Sequence, residues 1–178
     1  MNSLSLNTRD TAHWRALVAA AEASVQSCLD DDLENYVVML LLRFADGGRN
    51  KQSSPAADVS TPESLIEVGD RCLIIAGLMP DQALAQGLPI HHFVQTGRHA
   101  YEEAARRCDN VLFRRLASRF VAIMDVLQVM RTLDDDEIVV DMFRVYDQWQ
   151  ETGSQYAFRL LRAATNALPV QHYSQQRH

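Results

Sequence analysis

Apolar residues recur along this chain at intervals of three and four, the spacing that gathers them on one face of an α-helix. Over residues 11–29, Trp14, Leu17, Val18, Ala21 and Val25 form one such stripe. Asp30, Asp31 and Asp32 then open a second helix, where carboxylates cap free N–H groups and meet the positive end of the helix dipole. It carries Leu33, an unbroken apolar run over 36–42, and Phe44. A helix that is apolar almost all round is predicted to be buried on most sides and central to the fold. Residues 46–60, DGGRNKQSSPAADVS, have the composition of a long mobile loop joining two helices of one domain.

The third helix starts at Thr61-Pro62-Glu63, a hydroxyl N-cap followed by proline at the first helical position. Leu65, Val68, Gly69, Cys72, Leu73, Ala76 and Met79 share its apolar face, and Pro80 ends it. Residues 80–90 read as a turn or one short helical piece. A fourth helix is predicted over 90–108. A fifth, capped by Asp109 or Asn110, runs to 133 and is deeply buried over 120–130, where only Asp125 and Gln128 are polar. The run Asp134 to Glu137 opens a sixth helix to 150, with Ile138, Met142, Val145 and Trp149 on its apolar side. Gly153 stops it, and Ser154 caps a seventh to 168. Residues 1–10 are expected to be a disordered N-terminus and 169–178 a polar tail, leaving 11–168 as a single domain.

Composition supports the same fold class. The chain has 178 residues with 7 Gly and 5 Pro, against roughly 21 of the two together at average usage. A fold of short strands and tight turns needs those residues, so their shortage argues for an all-α bundle of about six to seven helices. The net charge of −6 gives no reason to expect a polyanionic partner. The three cysteines, Cys28, Cys72 and Cys108, form no C-x-x-C pair, so neither a zinc site nor a redox dithiol is written here. Polar residues precede the first hydrophobic segment, and the longest apolar run is far short of the ~20 residues that span a bilayer. These features lead to the expectation of a reduced, cytoplasmic protein without a membrane span.

Candidate chemistry is sparse. His91, His92, His99, Glu102 and Glu103 cluster on the fourth helix, and at about 100° per residue His92, His99 and Glu103 fall on one stripe. His92 and His99 are separated by about 10.5 Å of helical rise, too far to share one metal ion. His99 and Glu103 could share one with ligands from elsewhere, but their stripe lies about 150° from the apolar face and is expected to meet solvent or a neighbouring subunit. The acids at helix starts are explained by capping. Asp125 and Asp70 stand among apolar residues, where a carboxylate must be paired or must raise its pKa. No nucleophile elbow, phosphate-binding loop or dinucleotide fingerprint is present, and no cofactor is called for.

The segment 65–101 contains E-x-G-D within a helix, A-G before a turn, paired ring residues, and G-x-x-A-Y. Glu67, Gly69, Asp70, Ala76, Gly77, Gly97, Ala100 and Tyr101 carry this pattern, with His92-Phe93 as the ring pair. Together with LFRRLASRFVAIMDVLQVM at 112–130 it resembles an uncharacterised family of small bacterial all-helical proteins. In sequences it is similar to, this pair is usually aromatic at both rings; here His92 stands where a Tyr would. No activity, cofactor or catalytic residue comes with the resemblance.

The leading expectation is a non-enzymatic interaction or regulatory protein that binds a protein partner or itself as a homodimer. The candidate pocket or interface residues are Gly69, Asp70, Gly77, His92, Gly97, Tyr101 and Asp125, with the three glycines expected to mark close helix approach. One alternative is a small-molecule-binding bundle or enzyme, with a pocket between the third, fourth and fifth helices. A second alternative is metal binding through His99 and Glu103.

Overall fold

In the computed structural model, residues 11–26, 28–47, 61–134 and 141–165 are described, and every regular element among them is an α-helix. There are nine: α1 (Thr11–Val25), α2 (Asp31–Gly47), α3 (Pro62–Gly77), α4 (Pro80–Ala85), α5 (Ile90–Cys108), α6 (Val111–Ser118), α7 (Phe120–Asp134), α8 (Met142–Thr152) and α9 (Gln155–Thr165). The two beyond the predicted seven are α4 and the division of the long fifth helix at Arg119, whose φ of −101° and ψ of 10° leave helical geometry. Neither Pro nor Gly marks that division. Its visible partner is tertiary: the Arg119 guanidinium donates to the Cys28 carbonyl at 2.8 Å.

The caps follow the sequence reading at four helices. Asp30 accepts the Leu33 N–H at 3.1 Å, Thr61 accepts that of Ser64 at 3.2 Å, and Asn110 that of Leu112 at 2.9 Å. Ser154 accepts that of Ala157 at 3.0 Å. Elsewhere the boundaries differ. α1 stops at Val25, short of 29, because Gln26 takes a φ of +52° and the Leu29 N–H turns back to the Glu22 carboxylate at 2.6 Å. Asp134 closes α7 instead of opening the next helix. The cap of α8 is Asp141, which receives the Phe143 N–H at 3.0 Å directly ahead of the first turn. Asp135, Asp136, Glu137 and Ile138 lie outside the described residues, as do 1–10, 48–60 and 166–178.

The centre of the bundle is α3, not α2. From Cys72 to Gly77 every residue of α3 is buried, and its contact with α5 is the most extensive in the fold. Glycine makes that contact possible. A Cβ on Gly97 would stand 2.8 Å from the Cys72 Cβ and 2.5 Å from the Phe120 ring, while one on Gly69 would stand 2.6 Å from the Tyr101 ring. α7 packs on the other side of α3, where Leu127 fills the space above Gly77, and every residue from Ile123 to Met130 is buried. α2 buries Leu33, Val37, Val38, Leu40 and Leu41 against the bundle but leaves Met39 54% exposed. Its apolar surplus therefore lines an outer surface. A second, smaller apolar cluster of Val145, Trp149, Ala157 and Leu161 joins α8 to α9.

Candidate functional site

Three helices deliver four polar groups to a common point, two of them from α2. Asp70 of α3 is buried, and its Oδ1 accepts the hydroxyls of Tyr36 from α2 at 2.6 Å and of Tyr101 from α5 at 2.7 Å. Its Oδ2 accepts from the Arg43 guanidinium at 3.0 Å, which also lies 5.8 Å over the Tyr36 ring. The apolar bodies of the tyrosines complete a ring cluster with Phe113 of α6, stacked on Tyr101 at 6.3 Å and edge-on to Tyr36 at 6.2 Å. Burial, and then the Asp70 charge, push both phenols above their ordinary pKa. Both therefore remain hydrogen-bond donors throughout the physiological range, and Asp70 is the acceptor that satisfies them.

Asp125 sits in a different network. Its Oδ1 accepts the Ser154 hydroxyl at 2.6 Å, and its Oδ2 accepts the N–H groups of Gln155 at 2.8 Å and Tyr156 at 3.3 Å, the open donors at the start of α9. Gln128, one turn along α7, donates to the Ala76 carbonyl at 2.8 Å and accepts from Gln148 of α8 at 2.8 Å. Gln148 also donates to the Ser154 hydroxyl at 3.2 Å. The hairpin of α8 and α9 is thus held to α7 by a buried polar ladder as well as by its apolar cluster.

Burial pushes the Asp125 carboxyl up to about 6, against the opposing pull of Ser154 and the two N–H groups. A carboxyl raised in the folded state holds a proton that the unfolded chain has already released, so its contribution to stability is present below the unfolded value near 3.8 and lost as pH rises through about 6. Asp125→Asn removes this term and replaces one acceptor oxygen by an amide donor, so either the Ser154 hydroxyl or the α9 N–H groups lose their acceptor. The variant is expected to be less stable at every pH. Its deficit relative to wild type should shrink by up to about 3 kcal/mol as pH rises from 4 to 6. Urea unfolding of both proteins across that range measures it, and a deficit that stays constant with pH contradicts it.

Beside the Asp70 cluster an open groove of about 790 Å³ runs between α2 and α6. Tyr36 and Arg43 belong to both. Met39, Ile66, Val111, Leu112 and Phe113 give the groove its apolar surface, and Asp32, Asn35, Asn110 and Arg115 its polar margin. Met39 and Val111, 54% and 59% exposed, face it from the two helices. Arg115 is held by Asp30 and by Asp32, the latter at 2.9 Å, so the margin is already charge-paired.

Of the residues singled out by sequence, Gly69, Asp70 and Tyr101 meet directly. Gly97 lies beneath Phe120 and Gly77 beneath Leu127, both as packing contacts. Asp125 belongs to the α9 network, so the candidate pocket residues are divided between two polar centres. His92 is exposed, edge-on to Phe93 at 5.7 Å. His99 is exposed as well, and Glu103 is engaged by Arg106 at 2.5 Å and Arg107 at 2.8 Å. The Arg107 hydrogen bond, with the Arg106 and Arg107 charges, holds that carboxyl below its ordinary pKa. Among the described residues no group of three or more His, Cys, Asp or Glu is placed to hold a metal ion, and no helix is long and apolar enough to cross a membrane.

Sequence reasoning missed Tyr36, Met39 and Arg43 as a unit. Their spacing of i, i+3 and i+7 on α2 was the available signal: one stripe of an otherwise apolar helix that ends in an arginine. No family model, curated protein or solved structure matches the chain. What the groove does must follow from its chemistry.

Proposed function

We propose that this is a cytoplasmic interaction protein whose binding surface is the groove between α2 and α6, and that the groove accepts an amphipathic helix. The observation that carries this reading is the exposure of Met39 and Val111 toward one groove from two separate helices. Large apolar side chains exposed together, rimmed by polar groups, are what a helix-in-groove contact buries. A groove walled by two helices also matches a third in shape, since side-chain ridges seat between ridges. Three free cysteines, Cys28, Cys72 and Cys108, suit a reducing compartment.

The Asp70 cluster supports the groove in this reading. Tyr36 and Arg43 are fixed by Asp70, so the α2 wall is rigid before a partner arrives, which reduces the ordering cost of binding. The same bonds occupy Asp70 from both oxygens, which favours a structural role over a small-molecule or catalytic one. Kinship with small bacterial helical proteins remains a proposal that rests on the motif of residues 67–101.

A photo-crosslinking amino acid placed at Met39 or at Val111 tests the reading. Adducts are expected from both positions, with the linked peptide mapping to an amphipathic helical segment. Val111→Asp should reduce the Met39 adduct by at least about tenfold, as loss of a buried interface anchor does. No adduct from either position, or equal labelling from solvent-facing Gln95, would overturn it.

A further inference from the structure

We propose that the helix seated in the groove is α8 of a second copy of this chain, with the two copies exchanging α8 contacts across a twofold axis. This rests on the reading of the groove as a helix-binding surface and names its occupant. Phe143 in the first turn of α8 is 85% exposed, the most exposed large apolar side chain among the described residues. Asp147 and Glu151 follow at i+4 and i+8, both exposed, so one solvent-facing stripe of α8 reads aromatic, acid, acid. Val145 and Trp149 on the opposite face pack into the cluster with α9, which turns the Phe143 stripe away from its own hairpin.

α6 presents the complementary order. Val111 is followed by Arg114 at i+3 and Arg115 at i+4. Arg114 is exposed, and neither it nor Asp147 nor Glu151 has an ion-pair partner among the described residues. A helix rises about 6 Å from Phe143 to Asp147 and about 4.5 Å from Val111 to Arg114. Phe143 laid on Val111 and Met39 therefore brings Asp147 within reach of the long Arg114 side chain. The apolar pair would supply the buried anchor, and the opposite charges would fix direction and register. Each copy carries both halves of the contact, and a twofold axis would use both at once and close the assembly.

Sedimentation velocity of the full chain across a wide concentration range tests this. The wild type is expected as a concentration-dependent dimer. Phe143→Asp should raise its dissociation constant about thirtyfold or more while leaving helical circular dichroism unchanged, and its thermal midpoint should match that of the wild type only at concentrations where both are monomeric. Arg114→Glu and Asp147→Arg should each weaken the dimer about three- to tenfold, and the two together should restore it. A monomer at every concentration, open-ended growth, a dimer indifferent to Phe143→Asp, or no recovery in the charge-swapped double variant overturns the inference. A monomeric chain whose Met39 and Val111 crosslinkers still capture a helix from another protein overturns the occupant alone and leaves the groove reading standing.

Discussion

Asp70→Ala is expected to lower the unfolding free energy by about 2–3 kcal/mol, the cost of leaving buried hydroxyls without their acceptor. Most of the loss comes from the groups left behind. The Tyr101 side chain is fully buried, so a hydroxyl that loses its acceptor there costs about 1–3 kcal/mol. Tyr36 is only half-buried, and the Arg43 side chain is 55% exposed, so both recover part of their solvation. Urea titration reads the effect as a lower midpoint at an unchanged slope.

A second substitution tells this mechanism from a simple loss of volume. In the wild-type background, Tyr101→Phe should cost about 1 kcal/mol, the worth of one hydrogen bond. In the Asp70→Ala background the same change removes an orphaned hydroxyl and should be neutral or stabilising. Equal losses in both backgrounds would mean that the phenol and the carboxylate are not coupled. Because Tyr36 and Arg43 are held by the same carboxylate, Asp70→Ala should also loosen the α2 wall and weaken whatever the groove binds.

Gly97→Ala is expected to destabilise by about 2 kcal/mol, although alanine is the better helix former by about 1 kcal/mol. The added methyl would stand 2.5 Å from one Phe120 ring carbon, 2.6 Å from another and 2.8 Å from the Cys72 Cβ. The ring edge can shift, but the Cys72 Cβ is tied to the α3 backbone, so α3 and α5 must separate. Their contact is the most extensive in the fold, and the strain is felt along its length. Phe120→Leu should cost less in the Gly97→Ala background than in wild type, because the smaller side chain vacates the space the methyl enters. Thermal unfolding of the four proteins in the cycle measures this, and strict additivity would contradict the packing account.

Much of the architecture was legible because it follows from local chemistry. The apolar spacing, the hydroxyl and carboxylate caps at Asp30, Thr61, Asn110 and Ser154, and the proline at the head of α3 each act within one or two turns of chain. Gly69, Gly77 and Gly97 could be read as places of close approach, since a glycine on an apolar helix face has few other uses. The errors arose where a partner distant in sequence decided the outcome. Arg119 reaches Cys28, 91 residues away, and α2 proves to be an outer wall despite its apolar composition.

The candidate site divides along the same line. Asp70, Tyr101 and Asp125 stood out because polar groups among apolar neighbours must find partners. Which partners they find is a three-dimensional matter. Tyr36 is 34 residues from Asp70 and Ser154 is 29 from Asp125, so no local rule pairs them. Sequence by itself determined that the chain is helical, where most helices begin, and which buried acids need satisfaction, because backbone capping and amphipathic spacing are short-range. Only the tertiary structure decided that two of those acids anchor separate networks, and that Met39 and Val111 share a groove. Exposure and alignment of side chains depend on how the helices pack, and packing is set by the whole core at once.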